Sequence, residues 1–145
     1  MTAIRAVDHI GISVSNMDRA IRFFREGLGA QVTEPHLHDD PRIGTIVGIP
    51  GLQNIICQAS LGRQRFELLQ YVVPQGRQAE NHRPCDPGHI HIALAVEDIA
   101  GVIDRLGDYG FEPAGPVQHG VGGSGLAASY CYGFDGLVIE LIEYA

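Results

Sequence analysis

Three features are missing from this 145-residue sequence, and each absence excludes a class of protein. No apolar run approaches the roughly 20 residues that a membrane-spanning helix needs. The N-terminus lacks a basic segment followed by an apolar one, which is the pattern of an export signal. Basic residues are scattered and the formal net charge is -7, whereas phosphate binding requires clustered lysine and arginine. We therefore expect a cytoplasmic protein with no membrane anchor and no nucleic-acid partner.

Closely spaced cysteines are missing as well. The chain has three cysteines, an odd number, at Cys57, Cys85 and Cys131. They are far apart in sequence and lack the short spacings of zinc ribbons or redox motifs. Such cysteines are typical of buried, reduced thiols. The composition, with 45% hydrophobic and 19% charged residues, is typical of a soluble globular protein. The length is sufficient for one domain with a sizeable core.

One strand pattern occurs twice and indicates an internal duplication. In residues 89–96, aliphatic side chains alternate with histidine and alanine, which is the period of a half-buried strand. Residues 7–14 alternate in the same way, and His9 has the position that His91 has in the second copy. The other residues on these histidine-bearing faces are small, which leaves space for a ligand. His89 shares the face of His91 and is the alternative candidate there.

Each of these strands is followed by the same succession of predicted elements. Asn16 and Asp98 are N-cap candidates for amphipathic helices that end at glycines. Three strands follow each helix, the last two as a hairpin, while residues 36–41 and 119–125 are predicted to be loops. The sequence thus predicts an α+β fold of two tandem βαβββ modules in a single domain. The first module, the linker and the second module are predicted at residues 1–73, 74–87 and 88–145.

Two carboxylates fall on the histidine-bearing faces. In the closing strand of each module, Glu67 and Glu140 alternate with apolar residues that face the helix. Both carboxylates are therefore expected on one concave surface with His9 and His91. An unpaired buried carboxylate costs several kcal/mol, and a divalent cation bound by all four side chains would offset that cost. Two nitrogen and two oxygen ligands suit Zn, Ni, Co, Mn or Fe, and they leave coordination positions open, as in catalytic sites.

These motifs resemble the vicinal oxygen chelate superfamily, which includes glyoxalase I, methylmalonyl-CoA epimerase, extradiol dioxygenases and bleomycin resistance proteins. The resemblance rests on His9 in Val-Asp-His-Ile, Glu67 in Phe-Glu-Leu-Leu, His91 in His-Ile-Ala-Leu and Glu140 in Val-Ile-Glu-Leu. It implies one divalent metal ion per site, bound by these four side chains. It also implies a curved eight-stranded mixed sheet around a metal cavity, with the helices outside. The set His-Glu-His-Glu is most similar to that of glyoxalase I.

The resemblance implies an enzyme that acts on a small molecule with two vicinal oxygens. A glyoxalase I-like lyase or isomerase, or an epimerase, would abstract a proton next to a carbonyl through a metal-chelated enediolate. Glu140 or Glu67 would be the catalytic base, although epimerases of the family usually carry glutamine at the position of Glu67. The alternatives are an iron(II)-dependent extradiol-type dioxygenase and a non-catalytic small-molecule binding or resistance protein.

Several side chains have a simpler interpretation. A histidine such as His9 or His91, taken alone, is more typical of a hydrogen-bonded core residue than of a metal ligand. Tyr130 is predicted to lie in the core or at the rim, and Glu143, which alternates away from the site, is predicted to be solvated. We expect a homodimer, because a second copy can cover the exposed sheet edges. Whether one site is formed within one chain or across two chains stays open.

Overall fold

The structure is a computed structural model that describes residues 3–77, 83–123 and 125–145. The chain divides into two compact units, residues 1–78 and 79–145, and the boundary falls in the predicted linker. Each unit contains one mixed sheet of five strands together with helices, which confirms the α+β fold and the tandem modules. Among the residues described, no helix is long and apolar enough to cross a membrane.

The first unit contains five strands and two α-helices. These are β1 (Ile10–Ser13), α1 (Met17–Arg22), β2 (Gln31–Val32), β3 (His36–His38), α2 (Pro41–Val47), β4 (Gln53–Leu61) and β5 (Gln64–Val73). The strand order is β1-β5-β4-β2, and β3 also pairs with β4. Strand β1 runs parallel to β5, and the other neighbours are antiparallel.

Helix α1 covers one face of this sheet. Asn16 is its N-cap, as predicted, and accepts a hydrogen bond from the Arg19 N–H at 2.9 Å. A π-helical turn, Phe23–Gly27, continues the helix and brings two consecutive phenylalanines into the core. The ring of Phe24 lies 5.4 Å from that of Phe66 in β5. Phe66 therefore lies on the helix side of the sheet. Because successive strand residues point to opposite faces, the next residue, Glu67, points away from α1.

The second unit repeats this topology. Its elements are β6 (Ile92–Val96), α3 (Ile99–Gly107), β7 (Glu112–Pro113), β8 (Gln118–Val121), β9 (Leu126–Tyr132) and β10 (Val138–Glu143). The strand order is β6-β10-β9-β7, β8 also pairs with β9, and β6 runs parallel to β10. Asp98 caps α3 as predicted, accepting from the Gly101 N–H at 3.0 Å. The hairpin predicted for the last two strands is confirmed. Its turn contains Asp135 and Gly136, with φ values of 56° and 74°.

The two sheets agree in register as well as in order. Glu67 of β5 pairs with Gly11 of β1, and Glu140 of β10 pairs with Ala93 of β6. In both units the partner of the glutamate is a small residue, two positions after the histidine of that module. The duplication predicted from the sequence is therefore also a duplication of backbone pairing.

Each main helix also donates a hydrogen bond to a side chain of the closing strand of its own unit. The Met17 N–H donates to Gln70 Oε1 at 2.6 Å, and the Ile99 N–H donates to Glu143 Oε2 at 2.8 Å. Gln70 and Glu143 have equivalent positions in β5 and β10. The prediction that Glu143 is solvated is wrong, because the side chain is half-buried and bound to the start of α3.

The strands that carry the histidine motifs are shorter than predicted. Strand β1 begins at Ile10 and β6 begins at Ile92, so that His9 and His91 lie immediately before their strands. Ile90, which was predicted on the apolar face, is 76% exposed because the strand has not yet begun there. From Ile92 to Val96 the burial alternates as expected.

The two predicted loops contain regular structure. Residues 36–41 include β3 and the start of α2, and residues 119–125 include most of β8. The eight predicted strands are present, and β3 and β8 add one short strand to each unit. The prediction for the cysteines is confirmed at Cys57 and Cys131, where burial raises the pKa of the thiols. It is wrong at Cys85, which is exposed in the connection before β6.

Candidate functional site

Each unit places one histidine beside one glutamate. His9 Nε2 lies 3.8 Å from Glu67 Oε1, and His91 Nε2 lies 3.0 Å from Glu140 Oε2. Both glutamate side chains are 21% exposed, and the two histidine side chains are 37% and 39% exposed. The two His–Glu pairs therefore match in composition and in access to solvent.

The first pair is fixed by polar neighbours. His9 Nδ1 lies 2.7 Å from Asp8 Oδ1, and Asp8 also forms an ion pair with Arg65. The hydrogen bonds from His9 and Arg65, and the charge of Arg65, hold the pKa of Asp8 below its usual value. When Nδ1 donates to Asp8, the lone pair of His9 is on Nε2, toward Glu67. Gln58 Nε2 donates to Glu67 Oε2 at 2.7 Å.

The second pair has a different neighbour. The hydroxyl of Tyr130 lies 3.5 Å from His91 Nε2, and the two rings are 5.1 Å apart. Burial is the main cause of the raised pKa of Tyr130, and the negative charge of Glu140 raises this pKa further. The phenol therefore stays protonated at neutral pH and is able to donate a hydrogen bond.

Gln58 and Tyr130 have equivalent positions in the two units. Gln58 of β4 lies directly opposite Glu67, and Tyr130 of β9 lies directly opposite Glu140. Gln58 Oε1 is buried, and no hydrogen-bond partner for it exists in the part of the chain that the structure describes. A buried amide oxygen without a donor is unfavourable, and this one belongs to the residue that holds Glu67.

A pocket of about 390 Å³ opens beside the second pair. Its wall is formed by residues 114–116, which connect β7 and β8, by Gln118 and Val121 of β8, and by Ala128 and Tyr130 of β9. Tyr130 therefore belongs both to the pocket wall and to the surroundings of His91.

The structure brings each predicted histidine ligand together with one predicted glutamate ligand, His9 with Glu67 and His91 with Glu140. Within residues 3–77, 83–123 and 125–145, no group of three or more His, Cys, Asp and Glu side chains is assembled for metal binding. His89 lies in the turn before β6, where its N–H donates to the carbonyl of Asp86 at 3.1 Å, so its role stays a prediction. His36 and His38, predicted in a loop, lie in β3, and His82 lies outside the described residues.

Sequence reasoning missed three neighbours of the pairs, namely Asp8, Gln58 and Tyr130. The last two had a readable signal, because the predicted hairpins place one residue of the adjacent strand opposite each glutamate. Asp8 is adjacent to His9 in sequence, and its contact with Nδ1 depends on the conformations of both side chains.

The donor set of the pairs is compatible with a divalent metal ion. Each pair offers one imidazole nitrogen and one carboxylate oxygen, a combination that suits Zn, Ni, Co, Mn and Fe. The contact of Asp8 with His9 Nδ1 is the carboxylate–histidine arrangement that orients metal-binding imidazoles in many proteins. This contact and the unpaired oxygen of Gln58 are the observations of this chain that favour a bound ion.

Fold and site together define a class of protein in which two units of the same strand order each present a His–Glu pair. The family model of the Glyoxalase/Bleomycin resistance protein/Dioxygenase superfamily matches residues 6–141, and the chain belongs to this superfamily. The resemblance to the vicinal oxygen chelate proteins is thereby confirmed.

The individual proteins that the chain resembles share only a minority of its residues. The chain is 28% identical over 142 residues to an ethylmalonyl-CoA/methylmalonyl-CoA epimerase of Cereibacter sphaeroides, covering 95% of this chain and 97% of the relative. A glyoxalase family protein from Bacillus cereus has a TM-score of 0.86 at 25% identity, covering 98% of this chain and 95% of that one. The fosfomycin resistance protein FosX from Listeria monocytogenes, solved with Mn(II) and sulfate, has the same fold at 14% identity, with a TM-score of 0.62 and coverages of 99% and 95%.

Proposed function

We propose that this protein is a metal-dependent enzyme that moves a proton on a carbon next to a carbonyl group. The main support is the duplicated pair, in which a histidine Nε2 lies beside an equally shielded carboxylate at the same register in both units. In this proposal His9, Glu67, His91 and Glu140 form one ligand set, drawn from one chain or from two copies. A bound divalent ion would supply Lewis-acid stabilisation of negative charge on two neighbouring oxygens of a small substrate.

Glu140 is the proposed base. Glu67 is held by the amide of Gln58, which restricts its carboxylate to one orientation. The equivalent neighbour of Glu140 is Tyr130, whose hydroxyl contacts His91 instead of the carboxylate. Glu140 thus has no restraint from the described residues of the facing strand, and its short contact is with His91 Nε2 at 3.0 Å. In this proposal it turns from His91 toward a substrate carbon and accepts its proton. Glu67 is the second candidate.

The fate of the proton determines the reaction class. Return to the neighbouring carbon isomerises the substrate, and return to the opposite face of the same carbon epimerises it. Similarity over nearly the whole length to the Cereibacter sphaeroides epimerase supports epimerisation. The glutamate at position 67 and the resulting His-Glu-His-Glu set resemble glyoxalase I and support the lyase or isomerase form.

The substitution Glu140→Gln tests the proposal. Exchange of the substrate α-proton in D₂O, followed by NMR with a methylmalonyl thioester and with the hemithioacetal of methylglyoxal, should fall about 10²–10⁴-fold. Metal content, measured by elemental analysis, should fall only modestly. Glu143→Gln is the matched control on the same strand, because its amide oxygen can still accept from the Ile99 N–H. Full exchange activity in Glu140→Gln would sink the base assignment.

Two simpler assays separate this proposal from its alternatives. Oxygen consumption with catechol substrates in the presence of iron(II) would instead indicate a dioxygenase. Absence of a bound divalent ion after growth in metal-supplemented medium, together with tight binding of a small molecule, would indicate a binding or resistance protein.

A further inference from the structure

We propose that the pocket beside Tyr130 binds an uncharged, short aliphatic substituent of the substrate, and that Ala128 and Gln118 determine which substituents fit. The pocket is a break in the sheet edge. Strands β7 and β8 both pair with β9, and residues 114–116 cross from one to the other above it. This crossing is anchored by the Ala114 N–H, which donates to the carbonyl of Tyr130 at 2.7 Å.

The side chains on this side of the sheet belong to one face. Gln118 lies directly opposite Ala128, and Ala128 is two residues before Tyr130, so all three project from the same side. The methyl group of Ala128 forms the floor between a carboxamide and a phenol. A larger side chain at position 128 would therefore occupy part of the pocket directly.

The lining determines the chemistry of the occupant. The lining residues are mainly apolar, with polar atoms from Gln118, Ser129 and Tyr130, and none of those that the structure describes carries a charge. A carboxylate or phosphate placed here would be partly desolvated without a cation, which is costly, and the chain already has a net charge of -7. A volume of about 390 Å³ lies near the lower end of the roughly 300–1,000 Å³ of ligand pockets, which favours a short group.

The position of the pocket connects it to the His–Glu pair. The Tyr130 hydroxyl is 3.5 Å from His91 Nε2, and His91 is 3.0 Å from Glu140. A substituent bound against Ala128 would hold the atoms attached to it next to His91 and Glu140. This inference rests on the proposed function, because it assigns the pocket to the part of the proposed substrate that does not contact the metal ion.

Alkyl hydroxamic acids are suitable probes, because the head group has two neighbouring oxygens that chelate metal ions and the tail can be lengthened. Affinities of acetohydroxamic, butyrohydroxamic and hexanohydroxamic acid for the Co(II)-loaded protein would be measured by calorimetry. Each buried methylene should strengthen binding about fourfold until the pocket is full. A hexyl tail that ends in a carboxylate should bind no more tightly than acetohydroxamic acid.

Two variants test the two specificity residues. Ala128→Leu should abolish the dependence on tail length and leave acetohydroxamic acid binding unchanged. Gln118→Arg should strengthen binding of the carboxylate-ended tail at least tenfold, because it supplies the missing cation. Ala100→Leu, at an exposed position of α3, is the matched control for the added leucine and should behave like the unaltered protein.

The outcomes separate the two proposals. Chelation of acetohydroxamic acid without any effect of tail length, or equal tail dependence in Ala128→Leu, would overturn the pocket assignment and leave the metal site standing. Failure of every hydroxamate to bind the metal-treated protein would overturn the proposed function itself, and the pocket assignment with it. Chemical-shift changes at the amides of Ala128 and Val121 during titration, absent with acetohydroxamic acid, would locate the tail independently of affinity.

Discussion

At the scale of residues, His9 and His91 differ in how their rings are held. His9 has a carboxylate on Nδ1 and an arginine behind that carboxylate, whereas Nε2 of His91 faces both a carboxylate and a phenol. Carboxylates that accept from the remote ring nitrogen orient an imidazole and increase its basicity. His9 is thus the histidine whose ring is better oriented for the proposed metal ion, and His91 is the histidine nearer to the pocket.

Asp8→Ala should weaken metal binding about 10–100-fold, because it removes the group that orients His9. Competition with a chelating dye measures this affinity for Ni(II) or Co(II). Asp8→Asn keeps an acceptor for Nδ1 and should recover part of the loss. Asp104→Ala, an exposed position of α3, is the control for removal of one negative charge. Equal affinity in Asp8→Ala and in the unaltered protein would exclude an orienting role.

Tyr130 should titrate above the ordinary phenol value of about 10, because burial and the charge of Glu140 raise its pKa. The difference in ultraviolet absorbance between the unaltered protein and Tyr130→Phe during an alkaline titration isolates this residue. In Glu140→Gln the charge contribution is absent, so the Tyr130 titration should move toward lower pH. A Tyr130 titration at or below 10 would contradict the burial that the structure shows.

At the scale of elements, the two main helices depend on the strands that carry the site. Met17 and Ile99 are first residues of their helices, whose N–H groups have no partner within the helix. Gln70 and Glu143 satisfy them, and both lie three residues after a proposed ligand of the same strand. Helix docking and ligand placement are therefore coupled through β5 and β10.

Gln70→Ala and Glu143→Ala should each lower the free energy of unfolding by about 1–2 kcal/mol, because a partly buried N–H loses its acceptor. Urea denaturation followed by circular dichroism measures the change. Glu143→Gln keeps an acceptor oxygen and should cost less than Glu143→Ala. Equal stability of the alanine and glutamine variants would show that the hydrogen bond contributes nothing measurable.

The sequence predicted the repeated strands and the main helix of each unit, and it missed β3, α2 and β8. The start of α2 had a readable signal, an Asp40 N-cap followed by Pro41 at the first helical position. The glycine and β-branched residues that follow are poor helix formers, which favoured a loop. Strand β8 contains a glycine with φ of 70° at Gly120 and forms only because β9 pairs with it, a long-range contact that local patterns do not report.

At the scale of the whole molecule, the predicted ligands come equally from the two units. Alternation along the strands was sufficient to predict that each histidine and its glutamate share a face, and the structure confirms this within each unit. The contacts of Asp8, Gln58 and Tyr130 depend on side-chain conformation and strand register. The predicted hairpins indicate which residue lies opposite each glutamate. The side-chain conformations that form these contacts are not contained in a single sequence.

The proposed function requires one metal ion bound by both pairs, and such an ion should stabilise the chain through a single site. At a free metal concentration 100 times the Kd, the free energy of unfolding should rise by about 2.7 kcal/mol relative to the chelator-treated protein. His9→Ala in the first unit and His91→Ala in the second should each remove the whole increment. His119→Ala, an exposed position of β8, should retain it. Loss of half the increment in each variant would instead indicate two independent sites.

Gln58 and Tyr130 have equivalent positions but different side chains, which shows that the two units have diverged at this position. Duplication provides every site position twice, and the two copies can then accept different substitutions. The copy with Gln58 restrains its carboxylate, while the copy with Tyr130 borders a pocket. If the pocket selects the substrate, as proposed, substitutions that change this selection can accumulate in the second copy without disturbing His9 and Glu67 in the first. Libraries for altered selectivity are therefore best directed to β8 and β9.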